Sequence, residues 1–177
     1  MEIYNLNENN VLTVAKFMSA ICPDFWSFNG ALQQLSSVES VISTVGWFIG
    51  KDENCPKGWV LCREYTLYKT IELECCGYDN NGNFEMEHKL GMLFDTISEY
   101  AKSKGYLTFK TAMGSQEFSI HNRELGDIGD EIKNLTHTTN RADYNWLIEY
   151  GFKVIGIQPN AYGDKFHCII LAKDLRE

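Results

Sequence analysis

No two of the six cysteines, Cys22, Cys55, Cys62, Cys75, Cys76 and Cys168, stand at C-x-x-C spacing, so they carry no zinc or redox motif. The four histidines, His88, His121, His137 and His167, lie too far apart in the chain for a local metal motif, and no metal is expected. Basic residues are scarce: 16 Lys plus Arg face 24 Asp plus Glu, a net charge of -8. With no basic patch to offset that charge, phosphate backbones and anionic membrane surfaces are repelled, which argues against nucleic acid and membrane as partners. No stretch approaches the ~18 consecutive apolar residues of a membrane span, and the opening MEIYNLNENN lacks the basic and apolar regions of a secretory signal. The expectation is a cytoplasmic protein with reduced thiols. Proline is rare, 3 in 177 residues, and no linker or internal repeat divides the chain. It reads as one domain over residues 1–177, and at this size a chain buries roughly 70% of its unfolded surface without help from disulfides or metal.

Apolar periodicity supplies the elements. A short strand near Glu2–Tyr4 precedes a helix carrying Val11, Leu12, Val14, Ala15, Phe17, Met18 and Ile21, which Cys22-Pro23 ends because the residue before proline disfavours the helical region. A weaker helix follows over Ser27–Ser40. Three extended segments come next, Ser43–Ile49, Gly58–Tyr68 and Thr70–Tyr78. In the third, Ile71, Leu73 and Cys75 alternate with Glu72, Glu74 and Cys76, so period two sends the apolar set to one face and both glutamates to the other. Leu90, Leu93, Phe94, Ile97 and Ala101 then fall at helical spacing, and Lys102-Ser103-Lys104-Gly105 supplies cations and a left-handed cap where that helix stops. Tyr106–Ala112 reads as a strand, and Asn140–Tyr150 as a helix ended by Gly151. Phe152–Ile157 and Lys165–Ala172 are the last two strands, with a loop over 158–164 between them. The class is mixed α/β, in the order β, α, α, β, β, β, α, β, α, β, β. Residues 113–139 are polar and acidic, with a short helix over Asp127–Leu135; at roughly 25 residues this excursion exceeds the usual loop of a compact domain.

This order, with the run from Asn140 to Phe152 that fits an N-x(10)-G-F ending, resembles the GNAT superfamily of N-acetyltransferases over nearly the whole chain, with 113–139 as an insertion. The resemblance implies a mixed sheet of the GNAT type and acetyl-CoA as co-substrate. It implies acetyl transfer to a primary amine on a small molecule or peptide, and it carries no expectation of oligomeric state. Strand 71–78 and the helix over 88–104 resemble the acetyl-CoA core. By that resemblance, backbone amides at Cys75, Cys76 and Gly77 polarise the thioester carbonyl. The segment Glu85, Met86, Glu87, His88, Lys89, Leu90 and Gly91 faces the pyrophosphate, and Asn140 lies near the pantetheine arm. Glu72 or Glu74 is the general base, and the spacing does not choose between them.

The sequence also departs from the pattern. The [Q/R]-x-x-G-x-[G/A] loop falls on Glu85–Leu90, where the cation and both small residues are missing, and the usual catalytic tyrosine falls on Leu147. Tyr144 and Tyr150, three residues to either side of Leu147, are the candidates to present a hydroxyl instead. These departures keep a second reading open, a GNAT-like binding or regulatory module that transfers nothing. Cys75 and Cys76 read more simply as core-filling thiols than as nucleophiles, since no histidine is close in sequence to activate them.

Overall fold

The computed structural model describes residues 1–36, 43–79, 86–137 and 142–176. Its elements are β1 (Glu2–Asn5), α1 (Val11–Ile21), α2 (Phe28–Ser36), β2 (Ser43–Gly50), β3 (Pro56–Tyr65), β4 (Thr70–Tyr78), α3 (Met86–Ser103), β5 (Thr108–Gly114), α4 (Ile128–Lys133), α5 (Ala142–Glu149), β6 (Lys153–Gly163) and β7 (Phe166–Asp174), with a short 3-10 turn at Thr66–Tyr68. They gather into two compact units, Met1–Leu107 and Thr108–Glu177.

In the first unit β1, β2, β3 and β4 pair antiparallel in chain order. Residues of opposite parity along β3 point to opposite faces. Trp59 and Leu61 take one face and pack with Phe48 against Val14, Ala15 and Met18 of α1 and Ala31 and Leu35 of α2. On the other face Glu64 accepts hydrogen bonds from Tyr100 Oη of α3 at 2.9 Å and from Tyr106 Oη at 3.0 Å. The apolar stripe read from the sequence is the buried face of α3: Leu93, Ile97 and Ala101 are fully buried, and Leu90 and Phe94 nearly so. α1 ends at Ile21, ahead of Cys22-Pro23 as expected. α2 is described as far as Ser36, and the remainder of the helix expected over 27–40 lies outside the described residues.

Several strand boundaries differ from the sequence reading. β3 ends at Tyr65, and Thr66–Tyr68, expected as its last residues, form the 3-10 turn that leads into β4. Tyr106 and Leu107 precede β5, because the Tyr106 hydroxyl is drawn to Glu64 and the Leu107 amide donates to Lys69 O at 2.8 Å. β6 runs through 158–163, where a loop is expected, and accommodates Pro159 because it is an edge strand with irregular register between Gln158 and Gly163.

The second unit pairs β5 with β7 and β7 with β6, all antiparallel. The 113–139 excursion is described to residue 137 and is stitched to the β6–β7 hairpin. Ser115 N donates to His167 O at 3.0 Å and Asn122 N to Lys165 O at 3.0 Å. The buried His167 ring accepts the Asn160 amide at Nδ1 (3.1 Å), so its proton sits on Nε2, which donates to Arg123 O at 2.9 Å. The short helix expected here is α4, capped by the Asp127 side chain accepting from Asp130 N.

The Glu64 cluster makes a testable contribution to stability. Burial, reinforced by the Glu64 carboxylate, pushes the Tyr106 phenol up to about 12 and raises that of Tyr100. A raised folded-state value favours the neutral phenol. This contribution is therefore complete below pH 10 and is lost as pH climbs toward 12. Glu64→Gln removes the charge from both hydrogen bonds and is expected to cost about 1 kcal/mol at neutral pH. It should also flatten the loss of stability between pH 10 and 12 in urea unfolding. An unchanged alkaline profile would show that the tyrosines owe their shifts to burial alone.

Candidate active site

β4 is the strand on which the sequence places the chemistry, and its pairing with β3 is irregular there. Leu61 faces Cys75 and Cys62 faces Leu73, so Glu74 is an extra residue, a β-bulge. Its consequence is a change of face. Ile71 and Leu73 share the α3 face with Glu64 and Cys62, whereas Cys75, opposite Leu61, packs against the α1–α2 cluster. This corrects the expectation that Ile71, Leu73 and Cys75 lie on one face, since an inserted residue shifts the period-two register by one.

Both glutamates meet Arg63. Glu72 is its directly paired neighbour across the hairpin, and Glu74 Oε2 is 3.0 Å from Arg63 Nε, with both side chains of the ion pair about a quarter exposed. Tyr65 lies beside them. Its phenol is pushed up by burial and then by the negative charges of Glu72 and Glu74. Arg63 and Tyr65 are site residues that the sequence analysis misses. A legible signal existed, since pairing the flanking strands around the four residues 66–69 places Tyr65 opposite Thr70 and Arg63 opposite Glu72.

The remaining β4 candidates separate by environment. The Cys75 thiol is pushed up to about 11, by burial first, against the opposing effect of the neighbouring Trp59 indole. That holds it protonated, which suits packing rather than nucleophilic attack. Cys76 is exposed and pairs with Val60. Gly77 pairs with Trp59, and a Cβ at Gly77 would stand 2.1 Å from Trp59 Cη2. Met86, Glu87, His88 and Lys89 form the first turn of α3 and Leu90 and Gly91 its continuation, while Glu85 and Asn140 lie outside the described residues. A Cβ at Gly91 would meet nothing within 4 Å.

In the second unit Leu147 is buried, and the two tyrosines flanking it have separate surroundings. Tyr144 packs edge-on against Phe118 and His137 of the excursion, at 5.1 and 5.7 Å between ring centroids, and burial raises its phenol. Tyr150 stacks on Trp146 at 5.2 Å and carries Lys173 Nζ 3.9 Å over its ring. Among the described residues no three His, Cys, Asp or Glu side chains gather as metal ligands, and no helix is long and apolar enough to cross a membrane.

No protein-family model and no curated protein matches the chain. Solved structures match it over nearly its full length. The aminoglycoside 6'-N-acetyltransferase from Enterococcus faecium is 16% identical with a TM-score of 0.79, over 99% of this chain and 97% of that one. An aminoglycoside 6'-N-acetyltransferase complexed with coenzyme A is 15% identical with a TM-score of 0.80, at the same two coverages. The ribosomal-protein-S18-alanine N-acetyltransferase from Escherichia coli is 12% identical with a TM-score of 0.65, over 98% of this chain and 93% of that one. At such identities the likeness is one of fold: the mixed α/β fold of the N-acetyltransferases of the GNAT type.

Proposed function

We propose that this protein is a cytoplasmic acetyltransferase that uses acetyl-CoA to acetylate a primary amine on a small molecule or peptide. The reading rests on the Glu74 bulge, which sets Glu72, Glu74, Arg63 and Tyr65 side by side on a strand that also carries an interrupted backbone ladder. A bulge leaves its extra residue outside the regular pairing, and the amides of Cys75, Cys76 and Gly77 follow it directly. The residues present fit the co-substrate. α3 is an 18-residue helix whose first turn has backbone N–H groups without helical partners, suited to a pyrophosphate, and Gly91 leaves open space nearby. Glu85 and Asn140 complete the set of residues proposed to hold it. When bound, acetyl-CoA supplies the acetyl group as a thioester. Glu72 or Glu74 takes the proton of the incoming ammonium, and amides beside the bulge stabilise the charge that develops on the carbonyl oxygen. Tyr144 and Tyr150 are the phenols proposed to return a proton, and burial keeps the Tyr144 hydroxyl protonated at neutral pH. The relatives support the assignment by name, two as aminoglycoside 6'-N-acetyltransferases and one as a ribosomal-protein-S18-alanine N-acetyltransferase.

A second reading, a binding or regulatory module that transfers nothing, is favoured by Leu147, a buried apolar residue at the usual position of the acid. Calorimetry with acetyl-CoA followed by thiol release across a panel of primary amines separates the two. Binding weaker than micromolar is expected, because the 85–90 segment lacks the glycines that let amides approach a phosphate. Binding with amine-dependent thiol release supports the transferase, and binding without release supports the module. No binding at millimolar acetyl-CoA overturns the transferase reading.

A further inference from the structure

Leu147, at the usual position of the acid, is buried and apolar. Tyr144 and Tyr150 stand about one turn to either side of it, and their surroundings differ. Tyr150 is committed to ending α5. Its ring stacks on Trp146 and on Phe152, Lys173 Nζ lies 3.9 Å over it, and the same ammonium donates to Tyr150 O at 2.8 Å. Tyr144 is half-buried, yet among the described residues no group hydrogen-bonds its hydroxyl. Among those residues Trp59 Nε1 is the one buried side-chain N or O atom without a partner, so the Tyr144 oxygen is open to solvent.

The 113–139 excursion fixes the Tyr144 ring. Ser119 N donates to Thr136 O at 2.8 Å, Thr136 N donates to Ser119 Oγ at 3.2 Å, and Phe118 pairs with His137 in an antiparallel bridge. Residues 118–119 therefore close on 136–137. Directly paired residues share a face, which brings the Phe118 and His137 rings to 5.9 Å between centroids. Tyr144 meets both at steep angles, 83° at 5.1 Å from Phe118 and 67° at 5.7 Å from His137. Each of the three rings thus packs on the other two. Phe118 is the anchored corner: it is 4% exposed and its amide donates to Ser115 O at 3.0 Å, while Ser115 N donates to His167 O of β7 at 3.0 Å. A tyrosine ring has two side-chain torsions, and ring contacts from two directions fix both. The direction of the C–O bond is set with them.

We propose that the 113–139 excursion is the positioning element for the acid of the reaction: Phe118 and His137 are positioning residues that hold Tyr144, and Tyr144 rather than Tyr150 returns the proton to the leaving sulfur. The destination of the proton rests on the acetyltransferase reading, whereas the ring triangle depends only on the geometry of the second unit. As the thioester C–S bond breaks, the Tyr144 O–H bond breaks and an S–H bond forms. The proton shed by the acylated nitrogen restores the phenol through solvent. Burial raises the Tyr144 phenol, which keeps its proton in place until charge develops on sulfur.

Thiol release from acetyl-CoA with glycinamide, n-butylamine and 1,4-diaminobutane reads transfer. Tyr144→Phe keeps the ring and removes the O–H. It is expected to lower kcat by about 10²-fold and to leave the KM of acetyl-CoA unchanged. His137→Ala opens one side of the triangle and should lower kcat by about 10-fold through misplacement of the phenol. His137→Phe restores a ring and should recover most of that loss. Once the hydroxyl is gone nothing is left to position, so in a Tyr144→Phe background His137→Ala should reduce kcat no further. An alkaline titration of phenolate absorbance, wild type minus Tyr144→Phe, reads the triangle without turnover. Its midpoint should lie above the ordinary value of about 10 and fall toward it in His137→Ala, as water gains the ring. Undiminished kcat in Tyr144→Phe overturns the donor and leaves the transferase standing. A full further loss in the double variant, or a midpoint that ignores His137→Ala, overturns the positioning role. If the wild-type chain releases no thiol with any of the three amines, the transferase reading fails and the donor role falls with it, whereas a shifted midpoint still upholds the hold of the excursion on Tyr144.

Discussion

Glu72→Gln is expected to lower kcat for amine acetylation by about 10²-fold, the usual share of a general base, with urea stability little changed because the residue is only partly buried. Glu74→Gln should have the smaller effect. Glu74 sits at the bulge with its carboxylate 3.0 Å from the Arg63 guanidinium, and a proton taken from the substrate would weaken that ion pair. Glu72 lies in the regular ladder beside Tyr65, whose phenol is pushed up by burial and then by the charges of Glu72 and Glu74, and a phenol hydroxyl stays a hydrogen-bond partner when Glu72 takes a proton. A base engaged only in the transition state lowers kcat and kcat/KM together, whereas a group that merely attracts the cation raises KM and leaves kcat alone. Measuring both constants for both variants therefore assigns a role to each glutamate. Equal and small changes in kcat would make this strand an ordinary polar face.

The sequence revealed most where periodicity is long and unbroken. α3 was legible from five apolar positions, and all five are buried, because an 18-residue amphipathic helix leaves little choice of face. α4 was legible from Asp127, whose side chain caps it. The bulge was not. Ile71 to Cys76 alternates without a break, and one extra residue in a ladder changes the facing of every later side chain while leaving the composition untouched. The convergence of Glu72 and Glu74 survived this because both still reach Arg63, whereas the placement of Cys75 did not. The far end of β6 departs from its sequence pattern for a related reason. Pro159, Asn160 and Gly163 look like a loop, but an edge strand with irregular register tolerates them.

Gly77→Ala is expected to destabilise the protein by about 3 kcal/mol, at the upper end of the overpacking range. Two effects compete at this position. Replacing glycine with alanine in a strand restricts the unfolded chain and stabilises by roughly 0.4–1 kcal/mol. Against that, the new Cβ would stand 2.1 Å from Trp59 Cη2, 2.4 Å from Cζ3 and 2.7 Å from Cζ2, all well inside van der Waals contact. The indole has nowhere to retreat: it is 1% exposed, Phe17 meets it edge-on at 5.9 Å, and it belongs to the core cluster of α1 and α2. Steric conflict therefore outweighs chain entropy. A double-mutant cycle identifies the cause, because Trp59→Phe removes the far ring that the Cβ would strike. In the Trp59→Phe background, Gly77→Ala should cost nothing or stabilise slightly in urea unfolding, giving a coupling energy of about 3 kcal/mol between positions on adjacent strands. Full additivity would mean that the indole is not what requires glycine there. If Gly77→Ala instead left stability unchanged while weakening acetyl-CoA, glycine would be serving the approach of the co-substrate to the β4 backbone, and the packing account would be wrong.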